Sequence, residues 1–311
     1  MSTAAFVLGV ALDAAGGDPP TRVHPVGLVG ASARVLRRRA PTTEASRRRY
    51  GWAVALGLPL ASAFAAGTLR AAAARRSRLL GLLVEAGLLS LMSSSRTLLG
   101  RASEVEAALA AEDLEGARTL LATHLVSRDT SGLDAAEVAA ATIESVAENL
   151  SDGIVAPWVA YAVGGLPLAA AYRSANTLDA LWGYRTAELE ALGQGAARID
   201  DALNLVPARL TAVALALAVA TEGGLRRSWR AWRRDRRRTA SPNAGHPMSA
   251  MAGALGVRLE KRDAYVLGAD FPAPELADLR RALRLARRAM LGAAAALAGL
   301  QFCSSVGKAR P

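Results

Sequence analysis

An acidic stripe precedes one of the longest apolar stretches of the sequence. In the segment ATIESVAENLSDGIVAPW, Glu144, Glu148 and Asp152 recur at intervals of four residues. Residues four apart lie one above another on an α-helix, and like charges at that spacing repel each other by about 0.2–0.5 kcal/mol per pair. No Lys or Arg lies between Arg128 and Arg173. The compensating charge must therefore come from solvent, from an Arg distant in the sequence, or from a bound cation.

Two further segments place amides beside carboxylates at helical spacing. Asn176 and Asp179 lie three apart in YRSANTLDALWGYR, and Asp201 and Asn204 lie three apart in ARIDDALNLVPARL. Residues three apart share a helix face, and oxygen ligands suit Mg²⁺, which proteins bind through one or two carboxylates together with substrate phosphates. We expect these carboxylates and the acidic stripe to face a cavity that holds a metal-bound phosphorylated substrate, with arginines contributed by neighbouring segments.

Structural roles are the alternative for these acidic side chains. Glu144 and Glu148 could form only the solvated face of a helix that precedes the membrane. Two aspartates could instead form structural ion pairs with nearby arginines, namely Asp179 and Asp200 with Arg185 and Arg209.

Two polar turns carry further candidate residues. Glycines and prolines in LDAAGGDPPTRVHP predict a sharp turn that displays Asp18 and His24. His24 lies between Val and Pro, so it could equally be a turn residue whose hydrogen bonds are satisfied. The second turn, in SPNAGHPMSAMAGALGV, is a loop of Ser, Pro, Asn and Gly that leads into a helix of small residues.

The composition favours helices as the elements that position these groups. Hydrophobic residues make up 52% of the 311 residues and aromatic residues only 5%, with Ala and Leu supplying much of the bulk. Ala and Leu are the strongest helix formers. The formal net charge of +11 favours anionic partners such as lipid headgroups, nucleic acid or phosphorylated substrates.

Apolar stretches flanked by arginines predict an all-α, polytopic integral membrane protein with a soluble helical excursion. A full span needs about 20 apolar residues, which Gly51–Leu69 and Gly153–Tyr172 provide. Arginine clusters beside apolar stretches are typical of membrane helices, and the alternative is a soluble Ala-rich helical protein. The other apolar stretches are shorter and are expected to be tilted, re-entrant or buried in a bundle: Ala4–Leu12, Leu79–Met92, Leu210–Ala220 and Ala289–Phe302.

One part of the chain is polar and mixed in charge, and we expect it to leave the membrane. Residues 98–140 show helical periodicity and are interrupted by a turn at Ser131 and Gly132. Asp134 is expected to cap the following helix, with Glu137 three residues later completing a capping box. We expect this helical excursion to lie within a single membrane domain of residues 1–311.

Several common catalytic motifs are absent from the sequence. It contains no G-x-x-x-x-G-K-[ST] phosphate loop, no G-x-G-x-x-G fingerprint and no G-x-S-x-G elbow. Cys303 is the only cysteine, which excludes an internal disulfide and a multi-cysteine metal site. Any nucleotide is therefore held by a different kind of site.

Five polar motifs, taken together and in order, carry a family resemblance. They are GDPPTRVHPVGLVG, ESVAENLSDGIVAP, YRSANTLDALWGYR, IDDALNLVPARLTA and SPNAGHPMSAMAGALGV, and the resemblance extends from about Asp13 to Gly268. In this order they resemble the CobD/CbiB family of cobalamin biosynthesis proteins, the adenosylcobinamide-phosphate synthases. One departure is His246, because the family commonly carries an aromatic residue, often Trp, after SPNAG; this argues against a catalytic role for His246.

The resemblance implies a multi-pass enzyme of the cell membrane whose active site faces the cytoplasm. It implies an ATP- and Mg²⁺-dependent ligase without a bound prosthetic group. The enzyme would join the carboxyl group of adenosylcobyric acid, a corrinoid, to aminopropanol phosphate or a related aminoalcohol. The resemblance also implies contact with membrane lipid, no nucleic acid, and a possible complex with later enzymes of the vitamin B12 pathway.

The resemblance and the residue chemistry together give the predicted site. The predicted catalytic residues, which would hold Mg²⁺ or orient the amine, are Glu144, Glu148, Asp152, Asp179 and Asp200, and the predicted Mg²⁺ ligands among them are Glu148, Asp152 and Asp179. The predicted substrate-binding residues, whose arginines would contact phosphates or the carboxamide periphery of the corrin, are Asp18, His24, Asn149, Arg173, Asn176, Tyr184, Arg185, Asn204, Arg209 and Asn243.

Two other functions fit the same residues. The motifs NTLDA and DDALN are similar to the Asp-rich motifs of intramembrane prenyltransferases, in which Mg²⁺ bridges carboxylates to a pyrophosphate, although those motifs carry more Asp per site. A small-molecule transporter would use buried polar groups as its substrate path, but the sequence lacks paired broken helices in corresponding halves.

Overall fold

The computed structural model describes residues 2–16, 24–184 and 186–308, with side chains described as far as residue 303. Within these ranges the chain forms helices α1 (Thr3–Gly16), α2 (Pro25–Arg38), α3 (Glu44–Arg76), α4 (Arg78–Ser90), α5 (Ser95–Ala110), α6 (Leu114–His124), α7 (Ala135–Leu150), α8 (Ala156–Trp182), α9 (Glu190–Ala218), α10 (Leu225–Asp235), α11 (Gly245–Leu255) and α12 (Leu276–Lys308). A π-helical turn (Ser151–Val155) joins α7 to α8, and a short antiparallel ribbon of β1 (Leu259–Lys261) and β2 (Tyr265–Leu267) precedes α12.

The all-α membrane architecture is confirmed. Among the described residues, four helical segments are long and apolar enough to cross a membrane, by length and composition: Glu44–Arg76, Arg78–Ala110, Ala135–Trp182 and Glu190–Glu222. The first and third contain the two stretches that we expected to span. The second and fourth contain two of the shorter apolar stretches, Leu79–Met92 and Leu210–Ala220, and the second segment is divided between α4, which ends at Ser90, and α5. The expectation that these stretches are tilted, re-entrant or buried in a bundle stays a prediction.

Large apolar side chains project from these helices rather than into the protein. On α3, Leu60 and Phe64 are 67% and 74% exposed, and on α8 Val163 is 69% exposed. Contiguous exposed apolar surface is unusual on proteins that face only water. Hydrocarbon chains of a bilayer would cover such side chains at no hydrophobic cost, which agrees with the composition of the helices.

The described chain packs as two compact units. The first unit comprises Met1–Ser94, Ala156–Asn204 and Ala296–Pro311, and the second comprises Ser95–Val155 and Leu205–Ala295. The single-domain organisation and the limits of the extramembrane excursion at residues 98–140 stay predictions.

In the first unit, α8 provides the surface against which α2, α3 and α4 pack. Leu178 and Trp182 of α8 are buried against Val54 of α3 and Leu192 of α9. α8 is kinked at Gly165, whose φ of 68° is a left-handed value that favours glycine. Two residues later, the Pro ring lacks the N–H that a straight helix needs. The kink precedes the part of α8 that carries the predicted site residues.

In the second unit, α5 and α6 form a helical hairpin, and α11 packs against both α7 and α10. Val105, Leu121 and Val138 are fully buried in the core that joins the hairpin to α7. The predicted start of α7 is confirmed: the Asp134 carboxylate accepts the Glu137 N–H at 2.8 Å, and the Glu137 carboxylate accepts the Asp134 N–H at 2.9 Å. This reciprocal cap fixes where the acidic segment begins.

Candidate functional site

The first unit contains a buried polar cluster centred on Asp200, which we call the Asp200 cluster and define as Tyr172, Asn176, Asp200 and Asn204. Asp200 is 8% exposed. Its carboxylate accepts hydrogen bonds from the side-chain amides of Asn176 at 3.1 Å and Asn204 at 2.9 Å. The Tyr172 hydroxyl donates to the Asn204 carbonyl oxygen at 2.8 Å. Because a buried carboxylate is costly without such donors, these bonds fix α8 against α9.

Asp179 adds a second carboxylate beside this cluster. It lies three residues beyond Asn176 on α8, is half-buried, and interacts electrostatically with Asp200 and Asp201. Arg173 brings a positive charge to the same face through a 3.4 Å bond to the Asn176 carbonyl oxygen. The arrangement therefore gathers acidic oxygens that can bind a hard cation next to a guanidinium group that can bind an anion.

The second unit contains a separate cluster around Glu144, which we call the Glu144 cluster and define as Arg128, Glu144, Lys261 and Tyr265. Glu144 on α7 is 5% exposed. The Arg128 guanidinium lies 3.6 Å from its carboxylate, Lys261 adds a second positive charge nearby, and the Tyr265 hydroxyl donates to it. The charge that compensates Glu144 therefore comes from outside the stripe, from Arg128 before α7 and from Lys261 of the β-ribbon.

The surroundings of Tyr265 keep its hydroxyl protonated. Burial raises the pKa of Tyr265, and the negative charges of Glu144 and Glu148 raise it further. A phenol in this position is a permanent donor toward the Glu144 carboxylate. No sequence pattern marks Tyr265, Lys261 or Arg128 as site residues, because they approach α7 only through tertiary packing.

The rest of the acidic stripe is more accessible. Glu148 and Asp152 are half-buried, and Asn149 is exposed and donates to the Ser145 carbonyl oxygen at 3.0 Å. Asp152 lies on the π-helical turn rather than on α7, so the four-residue repeat of an α-helix does not continue unchanged to it. Single π-helical turns inside long helices occur frequently at functional sites.

The remaining predicted residues are not members of these two clusters, and two of them fall outside the described chain. His24 is the N-cap of α2, and its Nδ1 accepts the Val26 N–H at 3.1 Å, which is the structural role that the sequence left open. Tyr184 is 49% exposed. Asp18 and Arg185 fall outside the described residues. Asn243 is buried in the loop before α11.

Arg209 lines a cavity in the second unit that we call the arginine cavity. Its volume is about 400 Å³, and its polar lining consists of Arg209, Arg236, Arg237, Thr239, Ser241 and His246. Burial lowers the pKa of His246 to about 4, and the charges of the three arginines contribute. Of these residues only Arg209 was predicted, although the motif SPNAGH marks the loop that completes the cavity.

The predicted Mg²⁺ ligands divide between the two units: Glu148 and Asp152 belong to the second and Asp179 to the first. Within residues 2–16, 24–184 and 186–308, no group of three or more His, Cys, Asp or Glu side chains could hold a metal ion. Mg²⁺ needs only one or two carboxylates when substrate phosphates complete its shell. The pair Asp179 and Asp200 fits that smaller requirement.

Comparison with known proteins agrees with the five ordered motifs. The sequence pattern of the family described as CobD/Cbib protein matches residues 6–287, which is more of the chain than the motifs span. A protein named "Cobalamin biosynthesis protein CobD" from Chromobacterium violaceum is 43% identical, and the alignment covers 96% of this chain and 97% of the relative.

Other relatives match along most of their length. A protein of the same name from Geobacter metallireducens is 40% identical over 84% of this chain and 82% of the relative. A "Probable cobalamin biosynthesis protein CobD" from Methanothermobacter thermautotrophicus is 41% identical over 85% of this chain and 86% of the relative. No solved structure matches the chain. Since the family pattern covers most of the sequence and these relatives align along nearly all of it, the chain belongs to the CobD/CbiB protein family.

Proposed function

We propose that this protein acts in cobalamin biosynthesis as an ATP-dependent ligase that forms an amide bond. Its substrates are adenosylcobyric acid and aminopropanol phosphate or a related aminoalcohol, and its product is adenosylcobinamide phosphate or adenosylcobinamide. The observation that carries the proposal is the match to the CobD/Cbib family over residues 6–287. Relatives named as cobalamin biosynthesis proteins support it.

The chemistry of this reaction sets three requirements. A carboxylate oxygen of the corrinoid attacks the γ-phosphorus of ATP, ADP leaves, and the carboxyl group becomes an acyl phosphate. The amine nitrogen then attacks the acyl carbon, phosphate leaves, and the nitrogen gives up a proton. The site must therefore bind anionic phosphates, position the amine, and accept that proton.

The Glu144 cluster supports the second and third requirements. A buried carboxylate that is held by the Tyr265 hydroxyl and faced by Arg128 is fixed in orientation, as a group that positions an amine must be. We propose that Glu144 and Glu148 orient the amine and receive its proton. Asp152, on the π-helical turn, and Asn149 would contact the same substrate.

The Asp200 cluster supports the handling of phosphate. Asp179 and Asp200 would hold Mg²⁺, which neutralises charge on the phosphates of ATP when it is bound. Arg173 would contact a phosphate or the carboxamide periphery of the corrin. We propose that the other predicted substrate-binding residues also contact substrate: Asp18, His24, Asn176, Tyr184, Arg185, Asn204, Arg209 and Asn243.

The test is a reaction with purified protein in detergent. The protein is incubated with adenosylcobyric acid, aminopropanol phosphate, ATP and Mg²⁺. The corrinoid product is identified by mass spectrometry, and the released phosphate is measured. We expect a corrinoid heavier by the condensed amine, with phosphate released in proportion. A prenyltransferase or a transporter would give neither signal.

A Glu148→Ala variant tests the acidic stripe within the same assay. Loss of a group that positions the amine and takes its proton is expected to lower kcat by roughly 10²–10⁴-fold. Glu104→Gln, which alters an exposed carboxylate on α5, is the matched control and should leave the rate unchanged. Full activity of Glu148→Ala would remove the stripe from the proposed mechanism.

A further inference from the structure

We propose that the arginine cavity is a phosphate-binding subsite, formed by three guanidinium groups, two hydroxyl groups and one imidazole. The identity of the ligand rests on the proposed function, whereas the anion specificity rests on the residues that line the cavity. A volume of about 400 Å³ lies within the range of roughly 300–1,000 Å³ that is typical of small-ligand sites. It would accommodate a phosphate group together with a short chain attached to it.

Described carboxylates do not pair with the arginines of the cavity. Among the described residues, no ion pair joins Arg209, Arg236 or Arg237 to a carboxylate. The guanidinium groups of Arg209 and Arg236 donate instead to the backbone carbonyl oxygens of Leu205 at 2.6 Å and Arg233 at 2.9 Å. Such bonds orient a guanidinium group without cancelling its charge, so each can still bind an anion.

Other arginines between Arg226 and Arg238 make structural contacts instead. Arg234 forms ion pairs with Asp235 and Asp270, and Arg238 lies 3.1 Å from the Asp235 carboxylate. Arg227 donates to two carbonyl oxygens at the end of α11. These arginines hold the fold together, whereas Arg236 and Arg237 present their charge to the cavity.

The imidazole of His246 is set up as a neutral donor. The Trp232 Nε1–H donates to His246 Nδ1 at 2.9 Å, so Nδ1 carries the lone pair. A neutral imidazole with that tautomer has its proton on Nε2, and a pKa of about 4 keeps it neutral near pH 7. His246 therefore offers the cavity a hydrogen-bond donor that does not repel the three arginines.

The N-terminus of α11 strengthens the preference for anions. No side chain caps this helix, and the partial positive charge of a helix N-terminus favours phosphate. Gly245 brings the arginines close: a Cβ at this position would lie 2.4 Å from the Arg236 carbonyl oxygen. Only glycine permits this approach, which places the residue pair Arg236–Arg237 beside the start of α11.

Direct binding tests the subsite without any need for catalysis. Titration calorimetry of the full chain in detergent with pyrophosphate is expected to show binding in the wild type. The variant Arg236→Gln/Arg237→Gln should bind at least about tenfold more weakly, because charge-assisted bonds are lost. The matched control, Arg226→Gln/Arg230→Gln, removes two exposed charges from α10 that do not line the cavity, and it should bind like the wild type.

Three outcomes would overturn the proposal. They are no binding of pyrophosphate by the wild type, equal weakening in the two double variants, and undiminished binding by the cavity variant. The single variant Arg237→Gln changes an exposed side chain and replaces the double variant should the latter fail to fold. For this single variant, unchanged affinity would overturn the proposal in the same way.

Kinetics with two amines identify the source of the phosphate. If the cavity binds the phosphate of the amine, the cavity variant raises KM for aminopropanol phosphate and leaves KM for free aminopropanol unchanged. If it binds ATP, KM for ATP rises with both amines. A wild type that binds pyrophosphate but makes no product would refute the proposed ligase activity while the phosphate subsite stands. Unchanged KM values for both substrates would show that the subsite serves neither.

Discussion

The buried carboxylate of Asp200 accepts hydrogen bonds from two side-chain amides. The sequence placed Asp200, Asp201 and Asn204 on one helix, but residues three and four apart share a face, so spacing could not decide which aspartate Asn204 contacts. The structure pairs Asn204 with Asp200. The second donor, Asn176, comes from another helix, and no pattern within one helix could have predicted that contact.

An Asp200→Asn substitution should destabilise the protein. The substitution replaces one carboxylate oxygen by an amide N–H₂, which then faces the N–H₂ of Asn176 or Asn204 without an acceptor. A buried unsatisfied donor costs about 1–3 kcal/mol, and thermal unfolding in detergent would measure this as a lower midpoint. Glu190→Gln, an exposed carboxylate at the start of α9, is the control. An unchanged midpoint for Asp200→Asn would show that the amides do not depend on the carboxylate.

At the scale of elements, α10 and α11 pack together beside the β-ribbon, and we call these three elements the basic layer after the arginines of α10. Composition alone does not reveal what each of these arginines contacts. Arginines and tryptophans alternate in the run Arg226–Arg238, a pattern typical of an anchor on the membrane surface. Yet Trp232 is buried and bonded to His246, and Asp235 is fully buried. The contacts that each arginine makes depend on α11 and the ribbon, which follow α10 only later in the chain, so the run by itself could not predict them.

Asp235 should contribute strongly to the stability of this layer. Its carboxylate accepts bonds from Arg234 at 2.9 Å and from the Gly268 N–H at 2.8 Å, and Arg238 lies 3.1 Å away. Asp235→Ala leaves the buried Gly268 N–H without its acceptor, which costs about 1–3 kcal/mol, so the substitution should lower the unfolding midpoint. Asp270→Asn changes an exposed partner of the same Arg234 and should cost less than about 1 kcal/mol. Equal effects of the two substitutions would contradict this assignment.

Low pH should destabilise the same layer. Burial by itself would raise the pKa of Asp235, but the bonds from Arg234 and Gly268 and the charge of Arg238 hold it below its ordinary value of 3.8. The stabilisation is therefore present above that ordinary value and is lost as the pH falls through the lower pKa of the folded state. Asp235→Asn should accordingly lose less stability than the wild type when both are unfolded at progressively lower pH in this acid range.

At the scale of the whole molecule, the fold class and the family could be predicted and the arrangement of the site could not. Long apolar stretches with flanking arginines identify membrane helices because hydrocarbon thickness sets their length. Five ordered motifs identify the family because each is short but their order is specific. Which side chains meet within each unit depends on the kink at Gly165, the π-helical turn after Leu150 and the ribbon, and none of these has a periodic signature.

The distribution of arginines predicts an orientation across the membrane, which can be measured with a single thiol. Arginine-rich loops favour the cytoplasmic side, and ATP would reach the site from there, so we expect α10 to face the cytoplasm. In a Cys303→Ser background, which removes the only cysteine, Arg230→Cys places one thiol on the exposed face of α10. A maleimide that cannot cross membranes should label it only after the cells are opened, and the cysteine-free protein should stay unlabelled. Labelling in intact cells would place α10 outside and would separate the basic layer from the supply of ATP.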